Sequence, residues 1–96
     1  MLLEETFPRA YVMSVYTIAA LQAACASTSF ELVILGQSLS DREKLTGETA
    51  VRTTCKGAKI VEMYIRYPAT QADLKWNAGD PPEAFAMALR ALMSAA

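Results

Sequence analysis

Phe30-Glu31-Leu32-Val33-Ile34-Leu35-Gly36 is the stretch on which the fold turns. A short apolar run bounded by polar residues, with Ala-rich helical sequence before it and a helix-start signal after it, suits a parallel strand at the centre of an α/β sheet. Open sheets of this kind place their sites just beyond the carboxyl ends of the strands. Here that position holds Gly36, which offers neither a nucleophile nor a metal ligand.

Outward from this strand, the pattern alternates. On the amino side, Thr17 can cap a helix running to about Ser27, with Ile18, Leu21 and Cys25 on one face. Residues 11–16 are β-rich and read as a first strand, and residues 1–7 read as the end of a helix that Pro8 terminates. On the carboxyl side, Ser40-Asp41-Arg42-Glu43 matches a capping box, and a helix to about Cys55 is expected in spite of Gly47. Lys56-Gly57 supplies its stop. Residues 59–65 and 72–76 read as two further strands. Asp80-Pro81-Pro82-Glu83 then opens a last helix, with Asp80 expected as its cap. Phe85, Ala88, Leu89, Leu92 and Ala96 recur on it at helical spacing and form a core-facing stripe.

Strands alternating with helices imply parallel pairing and right-handed crossovers, hence a three-layer α/β sandwich. One connection breaks the pattern. Only about residues 66–71 join the last two strands, whereas a parallel crossover usually needs a dozen or more residues. Tyr67-Pro68 within it reads as a tight extended turn.

Composition narrows the function classes. A chain of 96 residues, 53% hydrophobic and 20% charged, makes one folded domain over residues 1–96. Nine Lys and Arg against ten Asp and Glu give a net charge of -1 without a basic cluster, so nucleic acid is not an expected partner. No apolar run approaches the roughly 20 residues that span a bilayer, and the start lacks a signal-type segment, so no membrane partner and a cytoplasmic location are expected. The chain has no histidine, which removes His-based acid/base and zinc chemistry. No cofactor is expected, since neither a GxGxxG nor a P-loop glycine pattern is present. Cys25 and Cys55, distant in sequence, read as two reduced and partly buried thiols.

The order of elements, together with Phe30-Glu31-Leu32-Val33-Ile34-Leu35 and the closing Asp80-Pro81-Pro82-Glu83-Ala84-Phe85, resembles the receiver domain of bacterial response regulators over most of the chain. The resemblance implies a flavodoxin-like, receiver-like sandwich with a mostly parallel sheet. It also implies that the family's first strand and fourth helix are lacking, since the chain begins inside what would be the first helix. Receivers bind Mg²⁺ with an acidic pair after their first strand and accept a phosphoryl group on an aspartate after their third. A hydroxyl residue and a lysine then hold the phosphoryl oxygens.

Carried over residue by residue, that machinery is degenerate. The phosphoacceptor position is Gly36. The hydroxyl position falls on Met63 or Tyr64, and the lysine position on Ala78, with Gly79 where a proline is usual. Glu4 and Glu5 do not replace the acidic pair. Ser38 beside the helix cap reads as polar surface.

These readings converge on a non-phosphorylatable receiver-like signalling module, not an enzyme, that acts by protein–protein interaction or self-association. A homodimer through exposed sheet edges and a signalling-protein partner are the expected associations. The rival is a small flavodoxin-like ligand-binding domain or enzyme using the loops after Leu35, Tyr64 and Trp76. Trp76, Tyr64 and Tyr67 would then line a pocket, against a plainer role for these aromatics in the core. Asp41 with Arg42, and Glu43 with Lys44, read as solvated helix surface.

Overall fold

The computed structural model describes residues 17–28 and 30–94, and the strand and helix end read at residues 11–16 and 1–7 lie outside them. Within that range the chain runs α1 (Ile18–Ser27), β1 (Leu32–Leu35), α2 (Asp41–Thr54), β2 (Lys59–Tyr64), β3 (Leu74–Asn77) and α3 (Pro82–Ser94). The described sheet is open and all-parallel, in the order β1-β2-β3. Leu32 pairs with Lys59 and Leu35 with Glu62, while Val61 pairs with Leu74 and Tyr64 with Asn77. No helix among the described residues is long and apolar enough to cross a membrane.

Two of the helix starts follow from local chemistry. The Thr17 side chain accepts from the Ala20 backbone N–H at 3.0 Å. At α2 the capping box is complete: Ser40 Oγ accepts from Glu43 N at 3.1 Å, and Glu43 Oε1 accepts from Ser40 N at 3.0 Å. Hydrogen bonding from the Ser40 backbone first, and from its side chain second, holds the Glu43 carboxyl below its usual range. Gly57 after α2 sits at φ 90°, the left-handed conformation its place in the stop signal required.

The start of α3 differs from expectation. The helix begins at Pro82, and it is the Pro81 carbonyl that accepts from Ala84 N and Phe85 N. Asp80 therefore precedes the cap, and its backbone N–H closes a turn onto Asn77 O at 3.0 Å. The last strand is also displaced, to Leu74–Asn77 from the expected residues 72–76. Ala72 packs instead against the core beneath α1 and α2, and Asp73 caps the sheet: its Oδ2 accepts from Ile60 N at 2.7 Å.

Strand alternation sends side chains to two hydrophobic clusters. Val33, Leu35 and Ile60 join Leu21, Val51 and Ala58 of the α1–α2 side. Leu32, Ile34, Val61, Met63, Leu74 and Trp76 join Phe85, Leu89 and Leu92 of α3. Gly47 explains its own presence in α2. A Cβ there would stand 3.2 Å from Leu35 Cδ2 and 3.4 Å from Ile18 Cδ1, so glycine is what lets α2 lie close to β1 and α1.

Cys25 and Cys55 are not two free thiols. They form a disulfide, with Cα atoms 5.3 Å apart and both residues buried in the α1–α2 cluster. The reason is topological. Cys25 lies in the last turn of α1 and Cys55 is the C-cap of α2, and each helix feeds a parallel strand, so both helix ends reach the amino edge of the same sheet.

Candidate functional site

The carboxyl ends of the strands gather the expected positions. The ladder is level at Leu35 and Glu62, so Gly36 follows beside Met63. Tyr64 ends β2, and its carbonyl accepts from Ala78 N at 2.8 Å. Gly36, Met63, Tyr64 and Ala78 thus come to one end of the sheet. A Cβ at Gly36 would meet nothing within 4 Å, so the expected acceptor-equivalent position borders open space. The Gly36 carbonyl accepts from Leu39 N at 3.2 Å, closing the turn into α2.

None of these side chains brings charge to that space. Met63 packs with the α3 cluster, and Tyr64 is half-buried. Trp76 stacks against Phe85 with ring centroids 5.4 Å apart, while Tyr67 is 66% exposed, so the three aromatics do not close a pocket. A shallow groove of about 350 Å³ lies elsewhere, on the α1–α2 pair, lined by Gln22, Ala50 and Thr46, Thr49, Thr53 and Thr54. Among the described residues no three His, Cys, Asp or Glu side chains are grouped to hold a metal ion.

The charged chemistry is one layer below. Lys44, read from sequence as solvated surface, is buried, with its side chain 4% exposed and that of Glu62 fully enclosed. The helical period is responsible: Lys44 shares a face of α2 with Gly47 and Val51, and that face lies on the sheet. Lys44 Nζ donates to Met63 O at 2.7 Å and to Glu62 Oε2 at 3.3 Å. Asp41, Arg42 and Glu43 are exposed, as expected.

Glu62 is the hub of this network. Its Oε2 also accepts from Ala69 N at 2.7 Å, and its Oε1 from Thr70 N at 2.8 Å and Thr70 Oγ1 at 2.7 Å. Burial pushes the carboxyl up. The Thr70 hydroxyl, the Ala69 and Thr70 amides and the Lys44 ammonium outweigh it, and the group rests below its usual range.

The network extends along α2 to hold the helix-free connection, residues 65–73, between β2 and β3. Glu48 Oε2 accepts from Gln71 N at 2.9 Å, and Arg52 reaches Gln71 O at 3.4 Å and Asp73 Oδ2 at 3.3 Å. Lys44, Glu48 and Arg52 stand four residues apart, one polar stripe down the helix. At the other end, Asn77 Nδ2 donates to Ile65 O at 3.4 Å. A signal for this was present in the sequence: Glu62 interrupts the apolar run Ile60-Val61-Glu62-Met63, where a charge needs partners.

No known protein family, curated protein or solved structure matches the chain.

Proposed function

We propose that this chain is a receiver-like signalling module, of flavodoxin-like layering, that does not take part in phosphoryl transfer and acts by binding another protein or a second copy of itself. The observation that carries this reading is the chemistry at the strand ends. Gly36, Met63, Tyr64 and Ala78 supply no carboxylate to receive a phosphoryl group or hold Mg²⁺, and no ammonium to neutralise the transferred charge. Lys44, the basic side chain that approaches this end of the sheet from α2, is committed to Glu62 and Met63. An open acceptor position above a saturated polar network leaves the outer surface as the place where function would be expressed.

The test is direct. After incubation with a low-molecular-weight acyl phosphate and Mg²⁺, intact-mass spectrometry is expected to show the unmodified chain. Stoichiometric phosphorylation at any residue, Ser38 included, would overturn the reading. A melting temperature raised by a flavin or nucleotide would move the assignment to the rival ligand-binding class.

A further inference from the structure

We infer that the loop tip Ile65-Arg66-Tyr67 is the surface by which one copy of this chain docks on another. This rests on the interaction reading above and names its surface. Ile65 and Tyr67 are each 66% exposed, which puts them among the four large apolar side chains the described fold leaves in water. Isolated exposed apolar residues are ordinary, but here two flank an arginine on one short turn. Tyr and Arg are the residue types that most often dominate interface energetics.

The tip is held at both ends. Lys44 secures Met63 O before it, Asn77 secures Ile65 O, and the Glu62 carboxylate grips Ala69 and Thr70 after it. A loop fixed in this way loses little further freedom on association, so its contacts translate into affinity with less entropic opposition.

Charge selects a second copy as the occupant. Arg66 is exposed, as are Asp80 and Glu83 at the approach to α3. Asp80 is tied to the same corner, since its N–H bonds Asn77 O and Asn77 in turn bonds Ile65 O. Among the described residues none of these three charges is in an ion pair. The corner that joins the tip to the approach of α3 thus carries exposed charge of both signs, Arg66 on the tip and Asp80 on the turn bonded through Asn77 to Ile65, with Glu83 following in the first turn of α3. A twofold axis through that corner would set each Arg66 against the Asp80 and Glu83 of the other copy, the self-complementarity an isologous interface requires.

The experiment is light scattering behind size-exclusion chromatography over a concentration series, on the full chain and on three variants. The first is Tyr67→Ala, the second Arg66→Glu, and the third Asp80→Lys with Glu83→Lys. All alter exposed side chains, and circular dichroism verifies that each folds. Each variant alone is expected to dimerise at least about tenfold more weakly than the parent. Mixing the second with the third restores opposite charge at both contacts, and the mixed dimer is expected to regain most of that loss.

A dimer that all variants leave unchanged would overturn this surface, while self-association through sheet edges, and with it the interaction reading, would stand. A parent chain that is monomeric throughout the series would also overturn it, and would leave the interaction reading to a different partner protein. Loss of dimer in each variant without recovery in the mixture would refute the twofold charge pairing.

Discussion

Between β1 and β2 the chain crosses through α2, a helix with one face on the sheet; between β2 and β3 it crosses through residues 65–73, with no helix at all. Both connections deliver a parallel strand to its neighbour. The helix satisfies its own backbone and contributes Val51 and Cys55 to the core. The loop has no helical hydrogen bonds, and four of its amides are taken by side chains: Glu62 for Ala69 and Thr70, Glu48 for Gln71, and the loop's own Thr70 hydroxyl for Ala72. A short parallel crossover is thus possible where a buried carboxylate replaces the missing helical hydrogen bonds. The consequence is that the second crossover depends on a few polar atoms, the first on distributed packing.

Removing the hub is the hardest way to break this arrangement. Glu62→Ala leaves the Lys44 ammonium buried without its counter-ion and three donors without an acceptor, and is expected to cost about 3–5 kcal/mol. Denaturant unfolding measures the loss. Hydrogen exchange locates it: the Ala69 and Thr70 amides should lose protection before those of β1. Uniform deprotection of both crossovers would show that they are not separable.

Acid tests the same carboxylate without mutation. The folded-state pKa of Glu62 is lowered, so the stability it contributes is fully present above the ordinary carboxylate pKa of about 4.3 and is lost as pH falls through the folded value. Wild type should therefore lose stability with acid more steeply than Glu62→Gln below about pH 4, and equal slopes would deny the carboxylate its role.

The helical crossover has its own clamp. The Cys25–Cys55 disulfide closes a sequence separation of 30 residues. By loop-closure entropy it contributes about 3.5 kcal/mol, a figure engineered bridges often fail to reach. Reduction under native conditions is expected to lower the melting temperature and to loosen α1 from α2, while the Glu62 network stays protected. Gly47→Val probes the same side more gently. Its branched side chain would press on Leu35 and Ile18, and a loss of about 1–3 kcal/mol in denaturant unfolding is expected. An unchanged midpoint would mean that α2 can move away from β1 freely.

The contrast between the crossovers also explains what could be read in advance. The capping box at Ser40 and Glu43, the left-handed Gly57 and the Phe85–Leu89 stripe are local patterns, and each is set by residues within a turn of one another. The burial of Lys44 is not legible locally, because its charge and its helix neighbour Glu43 suggest exposure whereas its partner lies across the fold in β2. The disulfide is illegible in the sequence for a similar reason: residues 30 apart meet only when two helices end at one sheet edge. At the strand ends, the residue identities could be read directly, but that Gly36 borders open space is a fact of packing, visible only once β1 and α2 are in place.

The smallest expected effect bears on function most closely. Gly36→Asp places a carboxylate just beyond the carboxyl end of β1, in a position where its Cβ meets no atom within 4 Å and the backbone is not in the left-handed region. Stability should change by no more than about 0.5 kcal/mol. Phosphorylation by an acyl phosphate with Mg²⁺ should still fail, because a lone carboxylate neither fixes the metal in octahedral geometry nor neutralises the transferring group, and Ala78 and Tyr64 contribute no cation. Intact-mass spectrometry decides between the outcomes. A phosphorylated Gly36→Asp chain would mean that other residues still assemble the metal and charge that Gly36, Met63, Tyr64 and Ala78 do not provide.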